Sequence, residues 1–482
     1  MFGSITPDML LTILPEIALL VVLLVVFTLD LVLAEARRGV LATVTAVGLL
    51  ASFVITLLYT HPGASATLVW GGMLRHDMLG YIAKLLFIFA AFITTLLSVG
   101  WGELWRKGEY YTLLLTSTIG MTLMAASADL VMLFLAIETT SIPLYILAGF
   151  LREDNKSTEA GFKYLLFGAM TTAVMLYGFS LLYGFAGSTN LYSMAAAITA
   201  GAVPGPLLIG ALVLVMLGFG FKVAVVPMHF WAPDVYEGAP TPVTAFLSTA
   251  SKAAGFMVLV RVMLASFPQI LPDWQMMLSI LAVASMFIGN VVALTQKNIK
   301  RLLAYSGIAH AGYAILGVVA ASELGVASVV YYLIVYVLTN LASFGIVAVV
   351  GKALGSDEVE EYSGLSRRNP MLALAMLLAF LSLAGIPPLG GFIAKVLVFA
   401  AAVEANLIWL AVLGVLNSIV GLYYYLVVLK VVYLDMPKDE SPLPVQRASG
   451  IAITLSVLLV LVLGVVIAPW YDWAIAAARS LF

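Results

Sequence analysis

Runs of about 20 consecutive apolar residues recur along the chain, and that length crosses a hydrocarbon layer of roughly 30 Å as an α-helix. The pattern predicts about fourteen membrane spans, with centres near Val21, Gly48, Phe89, Leu115, Leu144, Met175, Leu217, Ala253, Ser285, Ile315, Val335, Phe380, Gly421 and Leu461. The connections between them are short, so residues 1–482 read as one all-α polytopic bundle rather than a string of domains. The first run, Met9 to Leu33, is too long for a signal peptide and is preceded by Asp8 rather than a basic residue. It reads as a retained helix.

Two spans contain helix breakers. The seventh includes Pro227 and runs into Pro233, and the twelfth holds Gly385, Ile386, Pro387, Pro388, Leu389, Gly390 and Gly391. Proline removes an amide donor, and the freed carbonyls survive at membrane depth only inside protein or beside a wet cavity. The breaks lie five spans apart. Residues 109–266 and 274–434 are therefore expected to form two five-helix repeats with the broken helix fourth in each. An odd number of spans inverts the second repeat, as in inverted-repeat carriers.

Basic residues load alternate loops: Arg37 and Arg38, Arg106 and Lys107, Arg152 and Lys156, Lys297 with Lys300 and Arg301, Lys352 with Arg367 and Arg368, and Lys438 with Arg447. The opposite loops are nearly bare, with Arg75 the main exception. By the positive-inside rule the loaded side is cytoplasmic, which puts both termini on the periplasmic side or its equivalent.

Composition agrees with a membrane protein: 63% hydrophobic and 10% charged, against about a quarter charged in soluble domains. The chain contains no Cys, which excludes thiolate ligation of iron–sulfur clusters or zinc. The four histidines, His61, His76, His229 and His310, have no helix-face spacing suited to haem, and no cofactor is expected in this chain. A net charge of −2 gives no sign of a nucleic-acid partner.

Against this background the charges inside apolar spans stand out, because each costs about 2.5 to 3.5 kcal/mol to insert at a helix centre. Glu138 in the fifth span and Lys222 in the seventh form a candidate pair. Proximity favours both ionised forms and burial opposes them, so a changing separation makes a proton switch. The competing reading is a static ion pair. Lys252 lies beside a stripe of Thr241, Thr244, Ser248, Ser251 and Gly255 at three- and four-residue spacing, a face suited to a water chain or to ordinary helix packing. Lys395 follows the second break, where its long stem could snorkel to the interface but its depth favours a functional buried charge. Lys84, Arg261 and Lys430 sit nearer span ends and read as snorkelling side chains, with Lys163 intermediate. His310 shares a face with Ser306 and Tyr313 and is a relay candidate, while His229 reads as lying near a cytoplasmic mouth.

The run FKVAVVPMHFWAPDVYEGAPTPVTAFLSTASKAAGF, residues 221–256, resembles the signature of the N-subunit family of bacterial NADH:quinone oxidoreductase, respiratory complex I. KNIKRLLAYSGIAHAGY (297–313) and LSLAGIPPLGGFIAK (381–395) are similar to motifs shared among antiporter-like proton-pumping subunits. The resemblance implies fourteen helices in two inverted five-helix repeats. It also implies a proton relay in which Glu138 and Lys222 form the input, Lys252 the centre and Lys395 the outlet. NADH, FMN, iron–sulfur clusters and quinone would belong to other subunits of the complex, and the partners would be other membrane-arm subunits, the lipid bilayer and protons. Related subunits carry Glu at the last relay position or a long lateral helix after the bundle; Lys395 and the short tail favour the N subunit. Two other functions stay open: a cation/proton antiporter without redox coupling, and a scaffold whose charges lock helices. One deep carboxylate amid lysines is a poor sodium site.

Overall fold

The structure, a computed structural model, describes residues 6–63, 65–102, 104–201, 204–437 and 439–482; Lys438 of the basic pattern lies outside them. The chain opens with α1 (Pro7–Val32) and α2 (Val40–Tyr59), followed by a hairpin of β1 (Thr67–Val69) and β2 (Leu74–His76), in which Thr67 faces His76. Next come α3 (Met78–Ser98), α4 (Gly108–Ala126), α5 (Leu130–Ala148), α6 (Asn155–Ala186) and the short α7 (Leu191–Thr199). Then α8 (Gly205–Val223) stops, a non-helical link intervenes, and α9 (Trp231–Gly238) begins. The next helix is α10 (Thr241–Phe246) joined through a π-helical turn, Leu247–Ser251, to α11 (Lys252–Ser266). After α12 (Leu271–Ala293), α13 (Ile299–Val319), α14 (Glu323–Leu354) and the single turn α15 (Leu365–Arg368), α16 (Pro370–Ala384) ends early and α17 (Gly390–Glu404) restarts. The chain closes with α18 (Ile408–Leu434), α19 (Arg447–Val465) and α20 (Ala468–Arg479).

Short polar side chains set many of these starts. Asp77, Asp129, Asp154, Asn190, Asn298, Ser322 and Asn369 accept from backbone amides of the helices they precede. This satisfies donors that would otherwise be stranded where each helix enters the bundle.

Twelve helices among the described residues are long and apolar enough to cross a membrane, against the fourteen expected. The two expected centres outside that set, Leu115 and Phe380, fall in α4 and α16. Helix α4 is diluted by Glu109, Tyr110, Tyr111 and a run of Thr and Ser, and α16 is cut to 15 residues by the Gly385 break. The joined α10–α11 and α14 are buried along their apolar spans and form the centre, while α1, α6 and α18 keep most of their surface on the outside. Loops from the basic set meet at one end: Lys156 bonds Glu237, Arg301 bonds Asp234, and Lys352 donates to the Gly100 carbonyl. At the other end lie the hairpin, α7 and α20, none of which the hydrophobic pattern predicts. Arg75 ties them together through Tyr192 and the Ser480 carbonyl at 2.6 Å.

The second break is shaped by glycine. Gly385 has φ 85°, open to glycine at little cost, and a Cβ there would lie 2.8 Å from Lys395 Cδ. At Gly391 a Cβ would fall 1.8 Å from the Ser382 carbonyl oxygen, so only glycine lets the restarted helix pass so close to α16.

Candidate functional site

Lys222 lies in the last turn of α8, just before Ala224 turns the chain left-handed at φ 57°. It is 6% exposed, and its ammonium donates to Ser141 Oγ on α5 at 2.8 Å. Glu138 is one turn earlier on α5. Its Oε1 is buried without a hydrogen-bond partner, and no ion pair among the described residues joins it to Lys222. The expected Glu138–Lys222 pair is thus not closed: the Lys222 ammonium rests on Ser141, one turn along α5 from Glu138, and the Ser141 hydroxyl in turn donates to the Ile137 carbonyl at 2.6 Å. The Lys222 stem lies against α11, where a Cβ on Gly255 would come within 3.1 Å of Lys222 Cγ.

Lys252 comes directly after the π turn, is 3% exposed, and donates to the Gly307 carbonyl of α13 at 2.8 Å. Its ammonium also faces the Tyr336 ring, 5.8 Å from the centroid. The single stripe expected around it is interrupted, because a π turn adds a residue and rotates every later side chain about the helix axis. Two of its hydroxyls are already used: Thr244 donates to the Tyr236 carbonyl at 3.1 Å and Ser248 to the Ala245 carbonyl at 3.1 Å.

Lys395 is 6% exposed, which excludes snorkelling. It reaches back across the break to donate to the Ala384 carbonyl at 2.9 Å, where α16 ends and its dipole is negative, and to Ser418 Oγ at 2.8 Å. Its ammonium sits 5.1 Å from the Tyr313 ring centroid. Between Lys252 and Lys395 stands His310, with Nδ1 2.6 Å from Tyr332 Oη and Nε2 3.2 Å from Tyr425 Oη. The His310 and Tyr336 rings are 5.5 Å apart. A small cavity of about 10 Å³ is lined by His310, Tyr332, Tyr336, Thr339, Ser382 and Lys395. Tyr336 Oη is buried and unpartnered beside it. Lys252, Tyr336, His310 and Lys395 thus form one buried polar line.

Other predicted residues fall elsewhere. Lys163, a third exposed, bonds Glu159 and Asp234 at 2.6 Å each at the basic end. His229 is buried in the link between α8 and α9 with Nδ1 unpartnered, apart from the line. The snorkelling reading is overturned for two residues. Lys84 is buried and paired with Glu16 of α1 at 2.8 Å. Arg261 is fully buried, grips Asp77 at 2.6 and 2.9 Å, and donates to the Ala125 carbonyl. Each has a carboxylate within the bundle, so its charge need not reach the interface. Lys430 is exposed on α18, as a snorkelling side chain would be.

The sequence reading missed Ser141, Tyr332, Tyr336, Tyr425 and Ser418. The only signal for the tyrosines was Tyr332 and Tyr336 at four-residue spacing inside an otherwise aliphatic span. Among the described residues no cluster of three or more His, Cys, Asp or Glu is placed to hold a metal ion.

The family model described as "NADH:quinone oxidoreductase/Mrp antiporter, TM" matches residues 127–421. The chain is 44% identical to "NADH-quinone oxidoreductase subunit N" of Moorella thermoacetica, over 92% of this chain and 93% of that one. A chain in the structure of respiratory complex I from Thermus thermophilus superposes with a TM-score of 0.81 at 34% identity, covering 95% of this chain and 98% of that one. A chain of the Mrp complex from Dietzia shares the fold, with a TM-score of 0.86 at 22% identity over 99% and 98% of the two chains. This chain belongs to the NADH:quinone oxidoreductase/Mrp antiporter family of membrane subunits, and within it to the subunit N proteins of NADH-quinone oxidoreductase.

Proposed function

We propose that this chain is a proton-translocating membrane-arm subunit of NADH:quinone oxidoreductase, with Glu138, Lys222, Lys252 and Lys395 as its proton carriers and His310 between the last two. The observation that carries this reading is the choice of partners. Lys222, Lys252 and Lys395 are buried at membrane depth on neutral oxygens, without a carboxylate among the described residues in ion-pair contact. An ammonium held that way is costly and easily discharged, as a carrier requires and a structural lock does not. Drawing Glu138 away from Lys222 withdraws a nearby negative charge and drives the Lys222 proton toward Lys252. The line through Tyr336, His310 and the adjoining cavity then leads to Lys395 and release on the periplasmic side.

The same reading takes α8–α9 and α16–α17 as two discontinuous spans. With α4 they complete fourteen crossings, and they occupy matching places in inverted repeats over 109–266 and 274–434. Both termini are then periplasmic. Electrons travel through NADH, FMN, iron–sulfur clusters and quinone in other subunits. Lys163 and His229 serve the cytoplasmic side of the path without lying on it.

The test is Lys252→Met in the native complex. Methionine keeps most of the stem and removes the proton site, and deleting a lone buried charge spares folding. An assembled complex is expected in which quinone-linked turnover and pumping both fall. Full rates at normal subunit abundance defeat the relay.

A further inference from the structure

Lys300 is 3% exposed yet belongs to no part of the line described above. It stands in the first turn of α13, where the positive end of the helix dipole disfavours a cation. Its stem carries the ammonium across to α9, where it donates to the carbonyls of Glu237 at 2.6 Å and Ala239 at 2.8 Å. Those oxygens belong to the end of α9, which has no further turn to satisfy them. Asp357 supplies a counter-charge 3.6 Å away. It is held there because the segment after α14 pairs with the approach to α13: Ile299 N donates to Asp357 O and Val359 N to Lys297 O, each at 2.8 Å.

Helix α9 has eight residues, with the break behind it and Pro240 ahead, and it is the covalent link from the helix of Lys222 to the helix of Lys252. It is also held by buried neutral contacts, Trp231 on Tyr164 and the Phe221 carbonyl and Thr244 on the Tyr236 carbonyl. Its other charged grips are ion pairs of Asp234 and Glu237 with Lys156, Lys163 and Arg301. These are partly exposed and screened by water, so they hold weakly. Among the charged contacts of α9 the Lys300 one is the buried one, and a polar cleft of about 490 Å³ lined by Lys300, Glu237, Thr241 and Asp357 opens beside it.

We propose that Lys300 is a positioning residue for proton transfer: by capping the end of α9 it fixes the placement of Lys222 relative to Lys252. This rests on the relay reading above. The stem of Lys222 already packs on Gly255, three residues past Lys252, so a small displacement of α9 changes the gap that a proton must cross.

The experiment compares wild type, Lys300→Met and Lys300→Arg in the assembled complex. It reads amide hydrogen exchange over residues 231–239 together with kcat and KM for quinone. In Lys300→Met, exchange in α9 is expected to rise about tenfold. There kcat falls several-fold while KM for quinone stays unchanged, since quinone binds elsewhere. Lys300→Arg, which keeps two donors and the charge, restores most of both. If Lys300→Met does not assemble, Lys300→Gln takes its place with the same expectation. Unchanged exchange in α9, unchanged kcat, or an arginine variant as impaired as the methionine one overturns the proposal. Lys252→Met, measured alongside, separates the two ideas: full turnover there sinks the relay itself, whatever α9 does.

Discussion

Lys222, Lys252, Lys395, Lys84 and Arg261 are all at most 6% exposed, and their partners fall into two kinds. The first three rest on hydroxyl or carbonyl oxygens, while Lys84 and Arg261 meet Glu16 and Asp77. Substitutions should divide them accordingly. Arg261→Met leaves Asp77 buried with only Arg75 at 3.3 Å to offset it. Breaking a buried pair costs about 3 to 5 kcal/mol. Immunoblots of membranes are therefore expected to find the subunit depleted, in contrast to Lys252→Met. At Lys222 the informative change is to Arg, which keeps the charge and the bond to Ser141 but does not release a proton at accessible pH. Assembled Lys222→Arg complex is expected to pump far below wild type, and wild-type pumping in vesicles would remove Lys222 from the transfer path.

At the scale of elements, the two interruptions differ in how their lysines are used. Lys222 closes the leading helix, whereas Lys395 sits on the restarted helix and reaches back to the carbonyl that the break releases. That geometry depends on α17 touching α16 through Gly391. Gly391→Ala introduces a Cβ that collides with the Ser382 backbone, which cannot yield as a flexible side chain does. The helices are then forced apart, and the bond from Lys395 to Ala384 is lost. Turnover is expected to fall strongly even where the subunit still assembles; activity equal to wild type at normal abundance would mean that this close approach is not needed.

For the whole molecule, the basic loops gather at one end and the hairpin, α7 and α20 at the other. The absence of native cysteine in this chain makes sidedness directly measurable. Single cysteines introduced at Ser356, in the basic set, and at Gly63, in the bare set, should react with a membrane-impermeant maleimide from opposite faces. Gly63 is expected to label in right-side-out vesicles and Ser356 only in inverted ones. Labelling from the same face would contradict the proposed orientation.

Much of this was legible in the linear chain because the properties involved are local. Apolar runs of membrane length, prolines that cannot continue a helix and lysines stranded in aliphatic sequence need no neighbour to be recognised, so twelve of the fourteen expected spans, the helix-breaking prolines and the burial-prone Lys222, Lys252 and Lys395 could be named from residues alone. What each buried charge meets could not. Lys84 finds Glu16 across 68 positions and Arg261 finds Asp77 across 184. From the sequence both looked like Lys430, whose side chain is exposed. Tyr332, Tyr336 and Tyr425 read as ordinary aromatic packing until the fold set them around His310. The π turn before Lys252 and the Ser141 hydroxyl that receives the Lys222 ammonium are likewise products of packing. Hydrophobicity and backbone sterics act within a few residues and so determine the elements. The strength of a buried charge depends on the atoms a few ångströms away in space, and only the tertiary structure decides which atoms those are.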